Sequence, residues 1–157
     1  MPFVYSVSAS TAGNTATNAT PNTETIYMAL RQATRGFNLT SYFVTGKGAG
    51  LTALSGIIHR FRRWTTVGST GTTVTPAPRR VGTTASTGCV DGSVTAGTVG
   101  GTYQLTIGHG AAGPGGWVAR DEDSKIHLEG TAADELAVYS ASGTASLNFE
   151  WQGELEE

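Results

Sequence analysis

Apolar residues in this chain alternate with polar ones in short runs, and no segment of eleven or more residues holds a helical period. A period of two places successive side chains on opposite faces of an extended backbone, so each run has one face to bury. Phe3, Tyr5 and Val7 alternate in this way, as do Ile26, Met28 and Leu30. Phe37, Leu39, Ser41 and Phe43 share one face of the next run, with Tyr42 and Val44 on the other. In the segment Ile57 to Trp64, Ile57, His59, Phe61 and Arg63 fall on one side; Ile58, Arg60, Arg62 and Trp64 fall on the other. Later runs centre on Tyr103, Leu105 and Ile107, on Trp117, on Ile126 and Leu128, on Leu136 and Val138, and on Leu147, Phe149 and Trp151.

Glycine-rich and threonine-rich turns separate the runs, as expected for strands joined by tight connections. Between Gly68 and Val99 only weak strands are expected, near Val74 and Val94. Pro76 and Pro78 bar that region from the middle of a sheet. About eight or nine short strands with no fixed repeat predict an all-β fold, a single jelly-roll-like β-sandwich. Residues 1–23 read as an N-terminal strand followed by a polar loop or arm, and residues 24–157 as the sandwich.

The core is expected to be thin. Hydrophobic residues make up 38% and charged residues 14% of the chain, both below globular averages. Surface buried against partners would offset that shortfall. Cys89 is the single cysteine, so no intrachain disulfide forms and a small apolar role is its default. No run approaches the roughly 18 apolar residues of a membrane helix. The N-terminus reads without a secretory signal, which points to synthesis in a cytoplasm.

Charge is segregated along the sequence. Met1 to Cys89 holds eight basic residues and one acid; Val90 to Glu157 holds two basic residues and eleven acids. The segments carry +7 and −9, and the pI near 5.9 conceals the split. Opposed charges on one small protein favour docking, to copies of itself or to a charged surface.

Chemistry-bearing motifs are sparse. Gly46-Lys47-Gly48-Ala49-Gly50 lacks the spacing of a phosphate loop and reads as a hairpin turn, and Gly108 to Gly116 reads as a glycine-rich loop. His59, His109 and His127 are widely separated, and their spacing gives no support for a metal centre. Asp121, Glu122 and Asp123 lack a calcium-loop pattern and read as a solvated turn. Glu150, Glu154, Glu156 and Glu157 read as a solubilising end rather than a glycosidase pair. No nucleophile elbow is present. The expectation is a non-enzyme with no catalytic residue, metal or cofactor.

Arg60, Arg62, Arg63 and Trp64 form the candidate protein interface, and the acidic overall balance argues against nucleic acid. A blander role for these charges is protection of an edge strand. A binding alternative is a glycan-binding module on a head fibre or tail, with Trp64, Trp117 and Trp151 stacking on sugar faces.

The segment from Gly116 to Glu157, ending in FEWQGELEE, resembles the C-terminal parts of small tailed-bacteriophage virion proteins. The similar class is the jelly-roll capsid decoration, or cement, proteins. The resemblance covers roughly the last quarter of the chain by wording and the rest only by its Thr/Gly-rich composition. It implies a homotrimer on the outer surface of an icosahedral shell, bridging subunits of the major capsid protein. It also implies an extended terminal segment that reaches onto the shell, for which Phe3 and Tyr5 are the candidates.

Overall fold

A computed structural model describes residues 3–10, 25–32, 36–47, 56–66, 72–82, 88–92, 98–110, 113–129, 136–142 and 148–157. Twelve strands are described: β1 (Val4–Ser10), β2 (Thr25–Gln32), β3 (Phe37–Lys47), β4 (Gly56–Thr66), β5 (Thr72–Val74), β6 (Ala77–Pro78), β7 (Gly88–Gly92), β8 (Thr98–Gly110), β9 (Gly115–Val118), β10 (Ile126–Leu128), β11 (Leu136–Ser142) and β12 (Asn148–Glu156). All pairings are antiparallel. One sheet runs β10-β3-β12-β1-β6, with β9 also on β3 beside β10. The other runs β5-β7-β2-β11-β4-β8.

The chain crosses between sheets at most of the connections between described strands, and no two consecutive strands pair with each other. The orders β1-β12-β3-β10 and β2-β11-β4-β8 are those of a jelly roll, with β9 and β10 acting as one interrupted strand. The alternating pattern therefore folds as an all-β sandwich of the jelly-roll-like kind. Strands β5, β6 and β7, from the weakly patterned Thr/Gly region, lie at or next to the sheet edges, where Pro76 and Pro78 are tolerated.

The core lies between the sheets. Tyr5, Val7, Phe37, Leu39, Tyr42, Val44, Trp151 and Leu155 come from the first sheet; Ile57, Phe61, Ile107, Leu136 and Val138 come from the second. Tyr42 spans the interface, edge-on to Phe61 at 4.9 Å between ring centres and parallel to Trp151 at 6.1 Å.

Two bulges decide which residues reach this core. On β3 the alternation predicts that Phe43 shares the buried face of Phe37 and Leu39. Instead Leu39 pairs with Leu155 and Ser41 with Glu154, leaving Thr40 as an extra residue. Such an insertion shifts every later side chain to the opposite face. Tyr42 and Val44 become core residues and Phe43 is exposed. The bulge is pinned by the Thr40 hydroxyl donating to the Glu154 carbonyl at 3.2 Å and by the Ala119 N–H donating to the Thr40 carbonyl at 2.8 Å. On β8 the extra residue is Gln104, between the pairs Phe61–Leu105 and Arg62–Tyr103. Tyr103 is thereby turned out of the core that Ile107 enters.

Three expectations about the ends are corrected. β1 is an interior strand between β12 and β6, and it extends to Ser10, into the stretch expected to be a loop. Tyr5 is buried in the core rather than carried on an arm, while Phe3 beside it is exposed. Residues 11–23 of that expected arm lie outside the described residues. β12 is a central strand, so Glu150, Glu154 and Glu156 alternate with the buried Trp151, Gly153 and Leu155 instead of trailing from an end.

Candidate interaction face and buried histidine pair

Of the four residues singled out as an interface, Arg63 parts from Arg60 and Arg62 in the fold. β4 lies between β11 and β8, so it is not an edge, and the edge-protection role for its arginines is corrected. Arg60 and Arg62 project from the outer face of the second sheet, opposite the side that buries Ile57, His59 and Phe61. Their guanidinium carbons lie 4.9 and 5.0 Å from the centre of the Tyr103 ring, within cation–π range. The Gln104 bulge is what delivers Tyr103 to this face. Tyr139 of β11 is in register with Arg60 on its other side. Ile58, exposed, extends the same row. Arg63 has inner-face parity and reaches across to the other sheet, donating from Nη2 to the His127 carbonyl on β10. It ties the sheets together and does not join the outer row. The side chain of Trp64 lies outside the described residues.

The two charge segments are not separated into different sheets. Both sheets interleave strands from the basic and acidic segments, because β12 inserts between β1 and β3, and β11 between β2 and β4. Arg79 consequently pairs with Glu154 within one chain. Lys125 donates to Glu122 at 2.7 Å and also to Glu156, and these two hydrogen bonds, Glu122 first, hold its pKa above the ordinary lysine value. The acidic run forms a short 3₁₀ turn, Glu122–Ser124. Asp121 caps it, accepting from the Ser124 N–H at 2.9 Å, and the Ser124 hydroxyl accepts from the Asp121 N–H at 3.0 Å. Among the described residues no cluster of three or more metal-ligating side chains occurs.

A second constellation, unforeseen from spacing, is a pair of buried histidines. His59 on β4 and His109 on β8 stand diagonally across the strand pair, because Ile57 faces His109 and His59 faces Ile107. Their Nε2 atoms are 2.8 Å apart and their ring planes differ by 9°. With the ring centres 5.0 Å apart, the rings meet edge to edge in nearly one plane, as a hydrogen bond requires. His109 Nδ1 lies 2.6 Å from the Gly110 carbonyl and 2.8 Å from that of Gly113. A carbonyl only accepts, so Nδ1 carries the proton and His109 Nε2 accepts from the Nε2–H of a neutral His59. Burial, and second the charge that His109 would carry, push the His59 pKa down to about 3.

The pair sits where the chain leaves one sheet for the other. His109 belongs to β8 rather than to the expected loop, and β9 begins at Gly115, packed directly on it. A β-carbon on Gly115 would lie 3.0 Å from His109 Cβ and 3.1 Å from Ile107 Cγ2. Gly115→Ala is expected to cost about 1–3 kcal/mol by overpacking this corner. A thermal melt checks it, and an unchanged midpoint would show that the corner has slack. His127 stands apart and exposed, its Nδ1 2.8 Å from Asn38 Oδ1. Adjacent parity on two hydrophobic runs was the available signal for the pair, but strand adjacency was not.

Comparison with protein-family models, curated proteins and solved structures finds no match to this chain. Function therefore rests on the geometry of these surfaces.

The outer face of the first sheet carries an open groove of about 650 Å³, lined by Ser8, Phe43, Thr45, Pro114, Glu150 and Gln152 among others. The Phe43 ring lies on Gly116, where an added β-carbon would be 2.4 Å from Cδ1. Trp151 is a core residue that also lines this groove, and Trp117 is half-buried against the core. Phe43 is the more exposed of the two aromatic rings that line the groove.

Proposed function

We propose that this chain is a non-enzymatic structural protein that docks through the outer face of its second sheet, acting as a decoration protein on a phage shell. One observation carries the docking face: Arg60 and Arg62 converge on the Tyr103 ring of the outer sheet surface. A sheet face presents its groups to a broad partner, whereas small substrates are usually held in concave pockets. Arginine and tyrosine are also the residue types that concentrate binding energy at protein interfaces. The guanidiniums are held by the ring, so less side-chain freedom is lost on docking. The jelly-roll-like sandwich and the resemblance of the last quarter of the chain support the virion setting, and acidic surface of major capsid subunits is the partner this face suits.

The test is composition and occupancy of particles. Virus particles from the cells that make this chain should contain it, and antibody against it should label their outer surface. Arg60→Glu with Arg62→Glu should lower occupancy on the order of tenfold or more while leaving the fold intact, since both side chains face outward. Particles lacking the chain would overturn the decoration role. Full occupancy by the double variant would remove these arginines from the docking face.

A further inference from the structure

We infer that β8 is a strand-pairing edge, and that its occupant is β8 of a second copy of this chain. Among the described strands several edges occur, and all but one are short or blunted; β1 lacks a described partner on one side only from Val7 to Ser10, beyond the two residues that pair with β6. β6 is two residues long, flanked by Pro76 and Arg79. β5 has three residues and runs into Pro76. β9 has four residues behind Pro114, and β10 three between Lys125 and Glu129. Short length, proline and charge are the devices that keep sheet edges from pairing. β8 has none of them: it ends the second sheet, runs for thirteen residues and contains no proline, lysine, arginine, aspartate or glutamate.

The half of β8 nearest its end is regular. From Leu105 to Gly110 it pairs with β4 without a break, and the register shifts are confined to the half before it. Thr106, Gly108 and Gly110 face outward there, so no bulky side chain obstructs a neighbour. His109, the one titratable group in the strand besides Tyr103, is turned into the core.

These features name the occupant. A second copy can meet a six-residue edge only with an edge of similar length, and β8 is the one such edge among the described strands. Two β8 strands related by a two-fold axis run antiparallel, and being uncharged they bring no like charges together. Facing residues must share a side of the sheet, so the two-fold axis passes through a residue, and Ile107 or Gly108 gives the greatest overlap of the two regular segments. In the first register Thr106 faces Gly108 of the second copy; in the other Gly108 faces Gly108. Two six-stranded sheets then join into one.

Light scattering on the full chain tests this. The expected mass is about 32 kDa, twice the 16.2 kDa chain. Thr106→Lys with Gly108→Lys places like charges opposite one another in either register and should weaken the dimer about tenfold or more. A β-carbon at Gly108 meets only the Ile57 carbonyl, at 4.0 Å, while Thr106 faces Arg60 on β4, so the variant protomer should keep its circular dichroism and melt at a somewhat lower temperature. Hydrogen exchange on the unmodified protein adds a measurement independent of the variant: amides between Leu105 and Gly110 should exchange more slowly as concentration rises. A monomer at all concentrations, a dimer indifferent to both lysines, or exchange independent of concentration would overturn the pairing. A trimer would overturn it as well and leave the decoration role standing. Loss of the decoration role through the particle experiment would leave the pairing untouched.

Discussion

Tyr42→Ala is expected to remove about 3–5 kcal/mol of stability, the range for deleting a fully buried aromatic ring. Tyr42 is 0% exposed and touches aromatic rings in both sheets, Trp151 on β12 and Phe61 on β4. Its removal leaves a cavity at the centre of the sandwich that the paired strands on either side cannot close. A domain of this kind has about 5–15 kcal/mol in total, so the variant should approach unfolding at room temperature. Phe43→Ala, one residue along, is expected to cost under about 1 kcal/mol because that ring is 39% exposed. Urea denaturation of both variants measures the contrast. Equal costs would mean that the Thr40 bulge does not set the facing of β3 as described.

The second large effect is with pH. His59 is neutral in the folded chain down to about pH 3, whereas in the unfolded chain it takes up a proton below its ordinary value of 6.5. Above pH 6.5 neither state binds that proton and His59 contributes no pH dependence. Between 6.5 and 3 the unfolded state binds more protons, so stability falls as pH falls, with a limiting slope of about 1.4 kcal/mol per unit. From pH 7 to 4.5 the loss from this group alone is about 2–3 kcal/mol. His59→Leu alone leaves His109 Nε2 facing an apolar group and should destabilise at neutral pH. Replacing both with leucine removes the polar partners together, and that variant should lose the acid-dependent component. Chemical denaturation at pH 7, 6, 5 and 4.5 gives the slopes directly, with the carboxylates as a background common to both proteins. An equally steep decline in the double-leucine variant would show that the pair is not the acid-sensitive element.

Acid would act where the chain turns from β8 into β9, because His109 is bonded to the carbonyls of that turn and Gly115 packs on its ring. The regular part of β8 ends at this corner. Opening it would disturb the proposed β8 edge before it disturbed the outer arginines, which are anchored farther along β4.

Much of the strand content was legible because side-chain period is a local property. Ile57, Phe61, Leu136 and Val138 are core residues on the faces that alternation assigns them. Proline likewise marked the region that could form only marginal strands. The inversions at Phe43 and Tyr103 were not legible, since a single extra residue changes the face without changing the composition. The candidate site was legible in part. Arg60 and Arg62 share an outer face as their spacing predicts, but the ring that holds them lies some forty residues away on β8. Arg63 parted from them because its parity directs it inward.

By itself the sequence determined that the chain builds strands with one buried face, and that Arg60 and Arg62 share the face of β4 opposite Ile57 and Phe61. Periodicity and charge are read over a few residues, and no long-range contact is needed to set them. Tertiary structure alone decided which strands adjoin. It placed the acidic β12 among basic-segment strands, so Arg79 meets Glu154 in one chain. It brought His59 to 2.8 Å from His109, and it left β8 at an edge. Those outcomes follow from chain crossing between two sheets, where proximity is set by topology over the whole chain and not by any segment of it.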